Sequence, residues 1–348
     1  MNKMKKIGLS ALAGSLAVVS ANATEYTMSG GMLSTFTTQD DLSSGASNES
    51  GKGFGVATDL AFAASGTLDN GFTVDYAMAV DTNGALSNTS SQLTVGMGSL
   101  GTLQLNNKFG SKANGIDDIT PNAYNETWDG LTANGTAGTN NPSFFGSSTT
   151  AGSIDYRIPT QEIEGMTINA SVTYDPNAGA AGASKGGVGA DNLGSGSAYT
   201  IQIAHESGLE IGGGLEKVDD SVNTVLASDM ERTTAYAKFA MSGLSVAHQE
   251  SYQNTMNGTG VVGADKNSSM TGVAFTQGDY TISYGESELT TEAYGATAAL
   301  ATIQLESIQA AYVMGAMTVS VALSSTDNVD GVLNENYEEN TLAVSFAF

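Results

Sequence analysis

Between Phe72 and Asp81 apolar and polar or small side chains change places at every step. Phe72, Val74, Tyr76, Met78 and Val80 alternate with Thr73, Asp75, Ala77, Ala79 and Asp81. The same period of two recurs in Phe54–Ala63, Met166–Asp175, Tyr280–Gly285 and Met317–Ser324. Successive side chains of a strand point to opposite faces, so each stretch predicts a β-strand with one apolar and one small or polar face. The chain ends the same way. Leu342, Val344, Phe346 and Phe348 share one face, and Ala343, Ser345 and Ala347 the other. A soluble chain seldom leaves its bulkiest apolar residue on a free terminus, because such ends fray into water. A strand with an apolar outer and a polar inner face suits a barrel wall between lipid and water.

The connections sharpen this reading. Strands are expected near 25–36, 53–65, 71–81, 89–98, 100–106, 151–158, 165–175, 197–206, 209–217, 232–241, 244–252, 268–277, 279–286, 301–314, 316–325 and 340–348, sixteen in all. Tight turns such as Ser207-Gly208, Ser242-Gly243 and Gly278-Asp279 alternate with long polar loops near 37–52, 107–150, 176–196, 218–231, 253–267, 287–300 and 326–339. Short turns on one rim and long loops on the other are the habit of transmembrane β-barrels. An even count lets the strand from Glu25 pair with the last, closing the sheet and removing its edges. Gly96–Gly101, where one bent strand could replace two, and Ala293–Leu300, where a helix would fit, keep counts of fourteen and eighteen open.

Composition agrees. Lys3, Lys5 and Lys6, the apolar run Ile7–Val19 and Ala21-Asn22-Ala23 make a secretory signal with cleavage after Ala23, so residues 1–23 are expected to be removed. Thr24 would then begin a single barrel domain, 24–348. No apolar run after Val19 is long enough for a membrane-spanning helix. The chain has no cysteine, hence no disulfide framework. Its formal charge of -24 becomes -27 once the three signal lysines are gone. Such a surface repels nucleic acid and gathers cations.

Catalytic patterns are missing. His205 and His248 sit on the lipid-side parity of their strands, and no G-x-S-x-G, H-E-x-x-H or P-loop occurs. Gly212-Gly213-Gly214 lies inside a strand and reads as reduced bulk or a bend. An enzyme is therefore not expected. Acids in the long loops, among them Asp219, Asp229, Glu288 and Glu338, offer oxygen ligands for Ca²⁺ or Mg²⁺ against lipopolysaccharide, but without EF-hand spacing. No cofactor is otherwise implied.

The signal peptide, the opening Glu25-Tyr26-Thr27-Met28-Ser29-Gly30 strand, Leu100-Gly101-Thr102-Leu103-Gln104-Leu105 before a long loop, and the strand ending in Phe348 together resemble the Gram-negative general porins, most closely the sixteen-stranded alphaproteobacterial type. The resemblance implies an all-β outer-membrane barrel and a homotrimer of water-filled channels for small hydrophilic solutes. It also implies a third loop folded inward as a constriction. Leu342, Val344, Phe346 and Phe348 would be the signal read by the barrel assembly machinery.

On that footing Asn107–Thr150 is the constriction loop. Asp117, Asp118, Glu126 and Asp129 either line the pore or are solvated loop charges, with Tyr124 and Trp128 as packing anchors. Familiar members oppose the loop acids with an arginine cluster on the facing wall, and here the chain departs. Asp59 and Asp75 take the lumen parity of the early strands without a cation, leaving Arg157, Lys238 and Lys108 as wall or mouth cations. Arg157 either faces the pore or merely pairs with Asp155. A negative pore potential and a preference for cations follow from these charges. The second loop, Thr82–Ser87, is short for a latch onto a neighbouring subunit. Two other readings stay open: a plugged, adhesive outer-membrane barrel that binds a partner through its loops, and a soluble all-β adhesin.

Overall fold

The computed structural model describes residues 25–41, 50–81, 87–129, 141–149, 152–176, 194–219, 229–255, 264–293 and 300–348. The signal segment with Ala23 and Thr24, and the doubtful stretch 294–299, lie outside the described residues. Alternation becomes strand wherever it was expected. β1 (Glu25–Asp41), β2 (Gly51–Thr67), β3 (Thr73–Asp81), β4 (Ser87–Gly96) and β5 (Thr102–Asn107) form the first part of the sheet. A 3-10 turn at Gly98–Leu100 separates β4 from β5, so two strands stand where a single bent one was conceivable. After the long connection come β6 (Ile154–Arg157), β7 (Gln161–Ile163), β8 (Met166–Asp175), β9 (Gly196–His205) and β10 (Leu209–Val218). Then follow β11 (Met230–Met241), β12 (Leu244–Thr255), β13 (Ala264–Gln277), β14 (Tyr280–Ala293), β15 (Ile303–Met314), β16 (Met317–Asp327) and β17 (Tyr337–Ala347).

All seventeen segments belong to one antiparallel sheet in which β1 pairs with both β2 and β17. β6 and β7 share β8 as partner, so they are one stave and the barrel has sixteen staves. The break falls at Pro159, which has no N–H to give the ladder. Closure runs from Gly31 opposite Ala347 to Asp41 opposite Tyr337. It is sealed where Phe348 N–H donates to Gly30 O at 3.0 Å and Gly30 N–H to Phe348 O at 2.9 Å. The circuit of pairings is unbroken, which is how a strand-built membrane span satisfies its backbone, while β2 runs beyond β3 from Gly51 to Thr58 on the long-loop side.

The outward face carries Tyr26, Met28, Met32, Phe36, Phe54, Phe62, Ile201, Ile282, Ile308, Leu342, Phe346 and Phe348, all exposed. Such an apolar face needs lipid around it. The facing pattern inverts on the long-loop side of β14 and β15. There Glu286, Glu288, Gln304 and Glu306 turn outward, while Leu289, Ile303 and Leu305 are buried on the inner face. These three join Trp128, Phe144, Val329 and Tyr337 in an apolar cluster. A second cluster gathers Ala113, Ile116, Phe145, Ala198 and Tyr236. The inner face is thus not small or polar throughout, as the alternation predicted, but apolar on this part of β14 and β15. The segment after β5 brings its own apolar residues, and the wall beneath supplies matching ones.

Candidate functional site: the inner wall and the long connection

The connection leaves β5 at Lys108, whose left-handed backbone (φ 57°) turns the chain off the strand line. A short 3-10 turn, Asn114–Ile116, follows. From there the backbone is tied to side chains on the inner face of β12, β14 and β15. Ile119 N–H donates to Gln249 Oε1 at 2.9 Å, and Gln249 Nε2 returns a bond to Ile116 O at 2.8 Å. Ala123 N–H donates to Ser283 Oγ at 2.8 Å. Gln309 Oε1 accepts from Tyr124 N–H at 2.8 Å and Asn125 N–H at 3.1 Å, and Gln309 Nε2 donates to Asn125 O at 2.7 Å. Each amide satisfies donors and acceptors that burial would otherwise leave costly.

Glycines open the space. A Cβ on Gly272 would lie 2.9 Å from Thr120 Cβ and 3.0 Å from Pro121 Cδ, and one on Gly285 would collide with Thr127. Gly214 makes the same room for Phe145. The returning chain is fastened by charge: Glu216 Oε2 accepts from Gly146 N–H at 3.0 Å and from Arg232 Nη1 at 2.8 Å. Arg232 Nε also donates to Gln253 Oε1 at 2.8 Å.

The expected site residues fall into different settings. Asp117 is buried and accepts from Asn114 Nδ2 and Asp118 N–H, holding the turn. Asp118 Oδ1 accepts from Thr120 N–H at 2.8 Å and Thr120 Oγ1 at 2.6 Å. Glu126 and Asp129 are half-buried near the end of the first described stretch. Trp128 packs in the first apolar cluster as an anchor. Arg157 lies on the inner face with Nε 3.0 Å from Asp155 Oδ2, and also bonds Gln104. Lys108 is exposed at the root of the connection and Lys238 half-buried on β11.

Asp59 and Asp75 stand on the inner face of β2 and β3. Asp59 sits directly opposite Asp81, so two carboxylates share one cross-strand position. Glu25 and Asp75 line one cavity with Gln92. Asp81 and Glu25 share the parity of the two expected aspartates, and that parity was the signal that could have found them. Burial divides the inner wall. Gln249, Met270, Leu289 and Leu305 are almost wholly buried, whereas Asp75 and Ala63 are exposed. Among the described residues, the inner face of β1 to β4 bears no Lys or Arg, since Lys52 falls on the outward parity.

A closed sixteen-stave antiparallel barrel with an apolar outer face defines a transmembrane β-barrel of the outer-membrane type. The family model described as Gram-negative porin matches residues 8–348. The chain belongs to that family and is an outer-membrane porin, a channel protein. Its fold is similar to that of OmpF of Salmonella typhi in complex with daunomycin (12% identity, 95% of this chain and 99% of that one, TM-score 0.65). It is similar to the trimer form of OmpT of Vibrio cholerae (9% identity, 94% and 100%, TM-score 0.64). The anion-selective porin from Comamonas acidovorans is likewise similar (14% identity, 93% and 100%, TM-score 0.61). No curated protein sequence matches the chain. At these identities only the fold is shared, so selectivity has to be argued from this chain's own charges.

Proposed function

We propose that this porin is a cation-preferring channel for passive diffusion of ions and small hydrophilic solutes, with the segment after β5 narrowing its lumen. The uncovered inner wall of β1 to β4 carries this reading. Glu25, Asp59, Asp75 and Asp81 share that face, and the described strands β1 to β4 contribute no Lys or Arg to it. A low-dielectric wall with one sign of charge focuses its field into the water it encloses and enriches the opposite ion. The pinning of the loop to β12, β14 and β15 supports a constriction bounded by this acidic wall. Trimeric assembly is part of the proposal, supported by the trimer form among the structural relatives. So are removal of residues 1–23, recognition of the Phe348 strand by the assembly machinery, and contact with lipopolysaccharide.

Reversal potentials across a planar bilayer under a KCl gradient test the selectivity. The expected sign is that of potassium, and Asp59→Asn combined with Asp75→Asn moves the potential toward zero. A chloride-selective wild type refutes the charge argument. Arg157→Ala should widen the cation preference, because it removes a positive charge from the inner face; an unchanged potential assigns Arg157 to the wall alone.

A further inference from the structure

Below the root of the long connection lies a cavity of about 400 Å³ whose chemistry is opposite to that of the β1 to β4 wall. It is lined by Lys112, Arg157, Thr160, Asn169, Ser171 and Gln202. The polar part of the lining therefore consists of two cations with hydroxyls and amides, and Ile158, Pro159 and Ala170 complete the wall. Asp155, the nearby carboxylate, is fully buried and already engaged. It accepts from Arg157 Nε at 3.0 Å, Thr173 Oγ1 at 2.8 Å and the Lys112 backbone N–H at 3.3 Å.

The Lys112 ammonium itself makes no hydrogen bond or ion pair among the described residues. Partial enclosure, and then the charge of Arg157, lower its pKa from the ordinary lysine value, against an opposing pull from Asp155. Two like charges are thus held toward one cavity with a single buried counter-charge. The surplus of one positive charge sits in a chain whose formal net charge is -24. Solvation alone gives no reason to gather two of its few cations in one place, because like charges brought together raise each other's energy.

We propose that this cavity is a subsite for an oxyanion group, the phosphate or carboxylate of a solute in the channel. The group is held between the Lys112 ammonium and the edge of the Arg157 guanidinium that Asp155 and Gln104 leave unused. Lysine supplies a point charge and arginine a planar fork, a pairing suited to both groups. Thr160 and Asn169 already bond one another at 2.7 Å and Ser171 pairs with Thr200 at 2.6 Å, so the polar floor is preorganised. The proposal rests on the channel reading for the route by which solutes reach the cavity. It adds that a pore drawing cations along one wall holds the anionic end of a solute at another.

The test uses the full-length folded protein in detergent with inorganic phosphate as probe, read by the width of the phosphate ³¹P resonance. Wild type should broaden the signal saturably. Lys112→Gln should weaken binding about tenfold, the loss of one charge-assisted contact. Lys112→Arg should retain it, and Lys217→Gln, on the outward face beside Glu231, should leave it unchanged. Acetate should narrow the broadened line by competition; if it does not, the carboxylate half of the proposal falls. Equal broadening by wild type and Lys112→Gln, or none with wild type, overturns the subsite. Conductance of the same preparations keeps the two readings apart. A cation-selective channel that leaves phosphate sharp removes only the subsite, and a silent barrel that still broadens phosphate removes only the channel.

Discussion

Phe348 does more than end the last strand, because its ring lies over Gly30 of the first. A Cβ on Gly30 would stand 2.5 Å from Phe348 Cζ, 2.8 Å from Cε2 and 3.0 Å from Leu60 Cδ2. Backbone bonds between the same two residues seal the barrel. Any side chain at Gly30 must therefore displace the ring or strain the seam. Gly30→Val should lower stability by about 1–3 kcal/mol, the usual cost of overpacking a filled site. Urea unfolding in detergent measures it. The cost should largely vanish in a Phe348→Ala background, since contacting residues couple in a double-mutant cycle. Additive losses would show that the ring does not need the glycine. Alternation puts Gly30 on the outward face and Gly31 on the inner one, but nothing in the sequence says that Gly30 has a ring over it while a Cβ on Gly31 would meet only Phe346 O at 3.5 Å. The parity of Phe348 was legible; the partner across the seam was not, because the two residues lie at opposite ends of the chain.

At the scale of elements, the connection between β5 and β6 is held by a small set of polar side chains, Gln249, Ser283 and Gln309 on its outgoing part and Glu216 on its return, on four different strands. Gln309 alone serves two N–H groups and one carbonyl of Tyr124 and Asn125. Gln309→Leu removes these partners together, and each buried group left unpaired costs about 1–3 kcal/mol. The barrel should still fold, while the segment around Asn122–Glu126 loosens. Single-channel recordings should then show added low-frequency noise; traces as quiet as wild type would show that the remaining ties suffice. Gly285→Val acts from the other side, driving its side chain into Thr127 and pushing the segment off the wall. A lower unitary conductance is expected, and an unchanged one would mean that the segment does not bound the water path. Strand positions were legible from alternation, but β1, β2, β12, β13, β17 and most of all β14, which reaches Ala293 where a loop was expected from 287, run further toward the long-loop rim than the pattern suggested. The roles of Gln249, Ser283 and Gln309 were not. They look like ordinary lumenal polar residues until the segment that they hold is in place.

Across the whole molecule, closure, charge and exposure act together. Each stave is hydrogen-bonded to the next around the whole circuit, so the sheet can stand in lipid without a conventional core. In the proposed channel the acidic wall acts on ions through water, so its reach depends on salt. The screening length falls from about 10 Å at 0.1 M to about 3 Å at 1 M. Cation preference should therefore be pronounced at 0.1 M KCl and nearly lost at 1 M. A preference independent of salt would point to direct coordination at a narrow site.

The sequence by itself determined the class. Strict period-two alternation, turns sorted by length and an apolar final strand admit few structures besides a closed barrel, because each is a local consequence of one wall facing lipid and water. It also determined the sign of the charge on the inner parity of β2 and β3, through Asp59 and Asp75. Tertiary structure decided how those charges are deployed. It set Asp81 opposite Asp59, turned Asp117 into the loop's own fold, placed Leu289, Ile303 and Leu305 around Trp128, and brought Lys112 beside Arg157. These are meetings between residues far apart along the chain. Alternation states which face a side chain takes, but only closure and the path of the long connection bring its partner to that face.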